Sequence, residues 1–474
     1  MNKNGESLKN AVLELGTGKI SKLLAHYAIP SIIAMTASSL YNMVDSIFIG
    51  QGVGNYALAG LALTFPLMNL GAAFGALVGV GASSLISMLL GQKNYEMGEK
   101  VLGNTVTLNL IMGILYGLIV ILFMDPILYF FGASENTVSY AREYMIIISA
   151  GNVISHMYFG LNAVTRATGF PKEAMIATIL TVVLNTLLDP LFIFVFKWGI
   201  QGAAIATILA QLVSLVWICR SLSDHNKLIH FKRGTYGLKK RIVKDIVAIG
   251  MSPFCMNTAA CIVVILINQG LHEHGGDMAI GAYGVVNRIC FVAIMIVMGI
   301  NQGMQPIVGY NFGARNFGRV QKTLNITILW ATIVTTLSFA AGELFPKQLV
   351  EIFTTDPELT EKSVIGMRIV FIFFPIIGFQ MVTSNFFQSI GMAGKSIFLS
   401  LSRQVLVLIP LLLVLPAFYK EKGIWYSMPI SDLVASFIAF FMLSYQMRVF
   451  KRKALEDKMH PQSAAIDDIE KNLI

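Results

Sequence analysis

The sequence has little charge. Only 13% of its 474 residues are Asp, Glu, Lys or Arg, whereas a soluble globular domain carries about 25%. Hydrophobic residues make up 55% of the chain, and the mean hydropathy is +0.69. This composition excludes a soluble globular protein and predicts a membrane protein.

Cysteine is also scarce, and catalytic motifs are missing. The sequence GMAGKS at 391–396 resembles a phosphate loop, but Ser389 stands where that loop needs its first glycine. No Asp-rich Mg²⁺ motif of an intramembrane prenyltransferase is present. We therefore predict no enzyme, no cofactor and no metal cofactor. The cysteines lie in apolar stretches without CxxC spacing, which predicts neither disulfides nor a thiolate metal site: Cys219, Cys255, Cys261 and Cys290.

Long apolar runs are abundant. A helix needs about 20 apolar residues to cross a bilayer, and the chain contains twelve such runs. Residues 1–15 are too polar for a secretory signal peptide, so we expect the first run to be retained as a helix. The runs lie near 23–50, 57–90, 102–124, 140–165, 171–196, 200–222, 246–271, 279–312, 322–345, 363–390, 396–418 and 423–447.

The chain has a net charge of +9, and its basic residues are distributed unequally between the two sides of the membrane. When the N-terminus is placed in the cytoplasm, most Lys and Arg residues fall in cytoplasmic segments, which is the positive-inside pattern. We predict a multi-pass protein of the cytoplasmic (cell) membrane with both termini inside, and no nucleic-acid partner. The outer loops hold only Lys197, Lys347, Lys362, Lys420 and Lys422.

The chain repeats itself at an offset of 222–224 residues, with Gly81 matching Gly303 and Gly91 matching Gly313. Each half has six spans, so the halves are related by an axis along the membrane normal. The predicted fold is an all-α polytopic membrane protein of twelve transmembrane helices in two pseudo-twofold-related six-helix bundles. Its predicted parts are a cytoplasmic N-terminus (1–22), an N-lobe (23–222), a cytoplasmic linker (223–245), a C-lobe (246–448) and a cytoplasmic tail (449–474). We expect a flexible, solvated linker; contact of its basic run with lipid headgroups is the alternative.

One group of polar residues predicts a buried ion site in the N-lobe. Asp45 in the first span is an expensive residue in lipid, and Tyr41 lies one helical turn before it. Asn185 and Asp189 share a face of the fifth span, and Thr207 follows in the sixth. We predict a proton or cation site at these residues, with Na⁺ as an alternative to H⁺. Pro30 is the predicted hinge of the first helix.

Other residues have weaker assignments. The possible cavity-lining residues are Phe65, His156, Tyr158, Phe159, Asn268, Arg288, Phe291, Met295 and Met298, although core packing or lipid contact explains each of them as well. His156 could shuttle protons or be a core histidine. Asp432 is the one acid in the C-lobe that looks buried, and Arg288 is its predicted partner unless it bonds backbone carbonyls. Gly71, Gly75 and Gly79 indicate close helix packing.

Residues 15–450 resemble the multidrug and toxin extrusion (MATE) family, and in particular its bacterial MepA-like branch. The resemblance rests on LGTGKISKLLAHYAIPSIIAMTASSLYNMVDSIFIG at the start and on GQKNYE and GARNFG after the second span of each half. It implies two lobes around a central cavity and drug efflux coupled to inward H⁺ or Na⁺ flow. It also implies coupling through Asp45, Asn185, Asp189 and Thr207. The acids that NorM-type members carry in the seventh and tenth helices are absent, which favours the N-lobe site.

The resulting hypothesis is an antiporter that exports cationic or amphipathic drugs and toxins by alternating access, functions as a monomer and contacts membrane lipid. A flippase for lipid-linked precursors with the same superfold is the alternative. Such a flippase is expected to have a more cationic cavity. A channel is disfavoured because two related bundles suit rocking better than a fixed pore.

Overall fold

The computed structural model describes residues 12–459, apart from the side chains of residues 41–43, 55 and 454–459. The described part is almost entirely helical and contains no strand. Helices satisfy every backbone hydrogen bond within one segment, which is what a chain crossing lipid requires. The predicted cytoplasmic N-terminus (1–22) and tail (449–474) lie partly outside the described residues.

The N-terminal half ends at Leu222 and forms eight α-helices. A π-helical segment, Leu191–Val195, follows the seventh of them directly. A further helical segment at residues 12–17 precedes the first. The helices are α1 (Ile20–Gly52), α2 (Asn55–Gly91), α3 (Tyr95–Leu122), α4 (Met124–Phe130), α5 (Val138–Ala150), α6 (Asn152–Ala167), α7 (Pro171–Pro190) and α8 (Gly199–Leu222).

The C-terminal half begins at Lys240 and again contains a π-helical segment, Ser402–Leu408. Several of its helices start as their sequences predict, for example at Pro357, where Asp356 accepts a capping hydrogen bond from the Leu359 N–H. The helices are α9 (Lys240–Gly313), α10 (Phe317–Leu344), α11 (Pro346–Glu351), α12 (Pro357–Phe371), α13 (Phe374–Ser389), α14 (Ala393–Leu401), α15 (Ile409–Tyr419) and α16 (Glu421–Met459).

The helices account for the twelve predicted spans. Among the described residues, nine helices are long and apolar enough to cross a membrane, or eleven if α5–α6 and α12–α13, bent by 55° and 54°, each form one broken span. Helix α9 has 74 residues, about 110 Å at 1.5 Å per residue, far more than the bilayer core of about 30 Å. Its backbone leaves the helical region at Gly276 (φ 69°, ψ −168°). Counted as α9a (240–275) and α9b (277–313), it supplies the twelfth span.

The two halves meet through equivalent residues. Helices α1 and α9a begin at one face of the bundle, and α2 and α9b end there. Residues 12–19 and the connection 223–239 lie at the same face. We call it the linker face, and we call the opposite one the far face. A Cβ on Gly91 would lie 1.9 Å from the Tyr310 carbonyl oxygen, and one on Gly313 would lie 2.0 Å from the Met88 carbonyl oxygen. Gly91 and Gly313 are related by the repeat offset of 222, and so are Met88 and Tyr310, so the interface is pseudo-twofold.

Contacts between the halves continue from the linker face toward the middle of the bundle. Gln305 Nε2 donates to the hydroxyls of Ser83 and Ser84, each at 2.8 Å. A Cβ on Gly299 would lie 2.6 Å from Cα of Ile32 in α1. Val292 lies two turns nearer the far face on that same side of α9b, yet it is 61% exposed. The halves are therefore closed at the linker face and separate toward the far face.

The predicted tight packing of α2 is present. A Cβ on Gly79 would lie 2.8 Å from Cα of Gly160 in α6, and Gly75 faces His156 and Phe159. Small residues let the two backbones approach closely, which is a main source of helix association in lipid. The helix-packing interpretation of the glycine series therefore describes what α2 does.

The connection between the halves differs from the flexible tether expected. Asn104 Nδ2 donates to the carbonyl oxygens of Thr235 and Gly237 at 3.2 and 3.1 Å, and its Oδ1 accepts from the Lys239 N–H at 2.8 Å. Thr107 Oγ1 donates to the Tyr236 carbonyl oxygen at 2.7 Å. These bonds to α3 satisfy the backbone of an irregular segment, so residues 235–239 are fixed along the N-terminal half.

Candidate functional site

A buried amide connects the fifth and sixth spans. Asn185 and Asp189 lie one turn apart on α7, as their spacing predicts, and Asp189 is 0% exposed. Asn185 Nδ2 lies 3.2 Å from Asp189 Oδ1 and 3.2 Å from Thr207 Oγ1 on α8. The structure therefore brings together three of the residues that the sequence singled out.

Asp45 joins this group from α1. Its side chain is 6% exposed, and its carboxyl group lies close enough to that of Asp189 for the two to interact electrostatically. Helix α1 packs along α7, which is what allows residues 144 positions apart in the sequence to meet. Two carboxyl groups thus face each other inside the N-terminal half, with an amide and a hydroxyl beside them.

The hydrogen-bonding deficit of the site is one-sided. The buried atoms without a hydrogen-bond partner include Asp45 Oδ1, Asn185 Oδ1 and Asp189 Oδ2. All three are oxygen acceptors, and an ionised carboxylate has no hydrogen to donate. Buried acceptors without donors are costly in a low-dielectric interior. These oxygens are of the type that could accept a hydrogen bond from a protonated carboxyl group or coordinate a cation.

The end of α1 is fixed tightly beyond the site. Pro190 has no N–H, and the chain continues as a π-helical turn in which the Phe196 N–H donates to the Leu191 carbonyl oxygen at 3.0 Å. A Cβ on Gly52 would lie 2.4 Å from Cγ2 of Ile193 in that turn. α1 remains one helix from Ile20 to Gly52 with Pro30 inside it. The Tyr41 side chain lies outside the described residues.

Further polar groups continue the site toward the linker face. Thr181 Oγ1 donates to Ser214 Oγ at 2.7 Å, and Ser155 Oγ donates to Gln211 Oε1 at 2.5 Å. Sequence reasoning missed these residues, although a signal was available. Thr181 lies four residues before Asn185, while Gln211 and Ser214 lie four and seven residues after Thr207, so all share the faces already identified.

The C-terminal half contains a salt bridge that the sequence analysis assigned incorrectly. Asp432 on α16 accepts a hydrogen bond at 2.6 Å from Nε of Arg403, which lies in the π-helical segment of the eleventh span. The predicted partner, Arg288, is exposed on α9b instead. A buried acid next to a guanidinium is already neutralised. The two sites therefore differ in charge: two acids lie side by side in the N-terminal half, whereas the acid of the C-terminal half is bonded to a base.

The possible cavity-lining residues fall into three groups. Arg288 and Met295 lie eleven and four residues before Gly299, so they are on the same face of α9b as Gly299. Nearer the linker face, that face of α9b contacts α1. Phe291 lies at the edge of the same face. His156 and Tyr158 are buried within the N-terminal half. The remaining four are at least partly exposed: Phe65, Phe159, Asn268 and Met298.

Two of these residues do not face the space between the halves. The His156 ring lies 6.2 Å from the Tyr116 ring, centroid to centroid, and its nitrogens have no hydrogen-bond partner. Phe65 lies nine residues before Phe74, hence on the opposite face of α2. Phe74 faces the other half, with its centroid 4.8 Å from that of Phe254. Phe65 therefore points away from the surface that faces the C-terminal half.

A cavity of about 230 Å³ lies elsewhere. Its lining is entirely apolar and comes from α1, α9b and α10 (Ala28, Ile29, Ile32, Ile296, Ile300, Trp330, Ile333 and Val334). Such a groove offers no group that could bind an ion. Within the described residues, no cluster of three or more His, Cys, Asp or Glu side chains is arranged to hold a metal ion.

Comparison with known proteins gives consistent matches. The family model described as MatE matches residues 30–191 and 249–414, one segment in each half. Multidrug export protein MepA of Staphylococcus haemolyticus (strain JCSC1435) is 26% identical over 429 residues, covering 90% of this chain and 94% of that protein.

Solved structures agree with this match. A crystal structure of MATE in the bent conformation superposes with a TM-score of 0.89 at 26% identity, covering 94% of this chain and 99% of that one. The outward-facing conformation of a multidrug resistance MATE family transporter of the MOP superfamily gives 0.87 at 25% identity, covering 93% and 98%. The resemblance seen in the sequence is confirmed: the chain belongs to the MatE family and is a multi-pass membrane transporter rather than an enzyme.

Proposed function

We propose that this protein is a cation-coupled antiporter that exports cationic or amphipathic drugs, with the coupling ion bound at the N-terminal carboxyl pair. The observation that carries the proposal is the set of three buried oxygens without donors, Asp45 Oδ1, Asn185 Oδ1 and Asp189 Oδ2. Acidic residues inside a membrane protein, with no basic partner beside them, typically mark ion pathways. The name of its relative, a multidrug export protein, agrees with the substrate class.

The site suits either of two ions. A proton on one carboxyl would convert it into a donor for the facing carboxyl, which removes the repulsion between two like charges. Na⁺ prefers oxygen ligands, as hard cations do, and Thr207 Oγ1 adds a fourth oxygen to the three unpartnered ones. Every candidate ligand is therefore of the right type for H⁺ or Na⁺, and the ion's role is to cancel the buried negative charge.

Helix α1 connects the ion site to the interface between the halves. One face of α1 carries Asp45 against α7, while a different face carries Ala28 and Ile32 against Gly303 and Gly299 of α9b. Pro30 lies between Ala28 and Ile32, at the level of this interface, and it lacks an N–H for the helix. Loss of the charge on Asp45 changes the interactions with α7 that hold the part of α1 nearer the far face. We expect α1 then to bend at Pro30 and alter its contact with the C-terminal half.

The substrate path follows from the shape of the interface. The halves are closed at the linker face and separate toward the far face, where Val292 is exposed and Arg288, Phe291 and Met295 lie on or beside the same side of α9b. We assign the linker face to the cytoplasm from the positive-inside pattern, which makes this the outward-open state of an alternating-access cycle. Phe and Met side chains adapt to varied apolar ligands. One chain contains both halves, so we propose that the monomer functions.

A flippase for lipid-linked precursors is the second candidate. Arg288 favours it, because an exposed guanidinium on the cleft side of α9b could bind a phosphate headgroup. The unpaired acids of the N-terminal half favour drug–cation exchange instead. The same reconstituted protein can be offered a cationic dye and a lipid-linked pyrophosphate, and transport of the lipid alone would replace the antiporter assignment.

The deciding experiment is efflux from proteoliposomes under separately imposed pH and sodium gradients. We expect a gradient of one ion to drive uptake of a cationic dye, and Asp45→Asn to abolish that uptake while the protein still folds. Asp277→Asn is the matched control, since Asp277 is an exposed acid next to Gly276. Undiminished ion-driven transport by Asp45→Asn would exclude coupling through this site.

A further inference from the structure

The connection between the halves forms a basic surface at the level where α3 becomes apolar. We call residues 233–240 the linker surface. Four hydrogen bonds between the backbone of residues 235–239 and the side chains of Asn104 and Thr107 fix it to α3, as described above. Gly103 makes room for it, because a Cβ there would lie 2.5 Å from the Thr235 carbonyl oxygen. A surface held this way presents its side chains in a fixed arrangement.

Bonding of the backbone to α3 leaves two apolar side chains facing outward. Tyr236 is 39% exposed and Leu238 is 45% exposed. Thr107, which bonds Tyr236, lies three, four and seven residues before Leu110, Ile111 and Ile114, so these share its face of α3. All three are exposed apolar side chains. Tyr236 therefore lies at the edge of a continuous apolar strip, where aromatic residues of membrane proteins meet the headgroup layer.

The charges of the linker surface are unbalanced. Neighbouring lysines are neutralised, Lys232 by Glu99 at 3.0 Å and Lys227 by Glu173 at 2.6 Å. In contrast, Arg233, Lys239 and Lys240 are exposed and form no ion pair with any residue in the described part of the chain. Lys239 also interacts electrostatically with Glu96, whose carboxylate already accepts a hydrogen bond from Lys100. Three cations without an ion pair, beside an apolar strip, are complementary to an anionic phospholipid headgroup and its acyl chains.

We propose that the linker surface is a binding site for an anionic phospholipid. The phosphate lies among Arg233, Lys239 and Lys240, Tyr236 and Leu238 enter the interfacial layer, and the acyl chains follow the exposed residues of α3. Arg and Lys near a membrane surface attract anionic lipid additively. The bound lipid occupies the place where the connection leaves α3 for α9, so it stabilises the attachment of the linker to the N-terminal half.

Native mass spectrometry of the purified full chain tests this site. We expect phosphatidylglycerol to bind at least about tenfold more tightly than phosphatidylcholine at low salt. The variant Arg233→Gln/Lys239→Gln/Lys240→Gln should bring the two affinities together. The matched control Lys347→Gln/Lys362→Gln/Lys422→Gln removes the same charge from other loops and should leave the preference intact. Equal affinity for the two lipids in the natural protein would overturn the proposal, as would equal losses in both variants.

Two further measurements identify the ligand. Tyr236→Ala should weaken phosphatidylglycerol binding several-fold because it removes the interfacial contact, without changing the charge. Inorganic phosphate, added at concentrations that exceed the lipid about a hundredfold, should not displace it. Displacement by phosphate alone would show a simple anion site and overturn the lipid assignment. These tests are independent of transport, so they can fail while the antiporter function holds, or the reverse.

Discussion

Gly91 and Gly313 occupy equivalent positions in the two halves. Each packs against the backbone of the other half, one helical turn before the equivalent glycine. The approach is 1.9 Å from a Cβ on Gly91 to the Tyr310 carbonyl oxygen and 2.0 Å from a Cβ on Gly313 to that of Met88. No real Cβ can occupy such positions. This reciprocal contact closes the linker face, so it is the place where a methyl group should act on the conformational equilibrium.

We expect Gly91→Ala and Gly313→Ala to favour opening of the linker face and to lower transport by at least about tenfold, because the closed state must shift its backbone to accept either methyl group. Spin labels at the equivalent surface positions Lys100 and Lys322, in a background without the native cysteines, would report the change as a longer distance. Gly318→Ala is the control, since a Cβ there meets nothing within 4 Å. Unchanged distances in both variants would show that this contact does not set the equilibrium.

Asp45→Asn and Asp189→Asn should uncouple transport without loss of stability. Each substitution removes one of two facing acids that lack donors, so the free energy of unfolding should stay the same or rise while ion-driven uptake falls by at least about tenfold. Thermal unfolding and proteoliposome uptake measure the two effects. A large drop in unfolding temperature together with normal uptake would indicate a structural pair instead.

Thr207 offers a test of the identity of the ion. Thr207→Val keeps the shape but removes the hydroxyl 3.2 Å from Asn185 Nδ2. If Na⁺ is the coupling ion, its apparent affinity should fall by about tenfold because an oxygen ligand is lost, and Thr207→Ser should restore it. Proton-driven uptake should be much less sensitive. A loss of activity in Thr207→Ser but not in Thr207→Val would assign the role of Thr207 to its methyl group rather than its oxygen.

The Arg403–Asp432 pair should matter for folding more than for ion coupling. Arg403→Met leaves a buried carboxylate without its cation, at a cost of about 3–5 kcal/mol. The double variant Arg403→Met/Asp432→Asn should recover most of that loss, because no uncompensated charge remains. Denaturation of the natural protein, the single variants Arg403→Met and Asp432→Asn and the double variant, all in one detergent, gives the coupling energy of the pair. Additive losses in this cycle would contradict a direct interaction.

Much of the architecture was predictable because membrane helices have a strong local signal. The apolar runs, their number and the repeat linking Gly91 to Gly313 follow from hydropathy and spacing alone. Asn185 and Asp189 were identified together because a four-residue spacing places both on one helix face wherever that helix packs. Local periodicity does not depend on the neighbours of a helix, which is why these predictions are correct.

Other features depend on how the helices are rotated against each other. The sequence led to Arg288 as the partner of Asp432, whereas the orientation of α16 against the eleventh span selects Arg403. The attachment of residues 235–239 to Asn104 also lies beyond any local pattern.

The sequence by itself determined that this chain crosses the membrane in two related bundles and that the first of them carries Asp45 and Asp189 within its spans. Tertiary structure alone decided which oxygens meet, which face is closed and which charges remain free. Which side chains meet across two helices depends on the rotation of each helix about its axis, to within tens of degrees. Hydropathy does not encode that rotation, whereas close packing of the whole bundle fixes it.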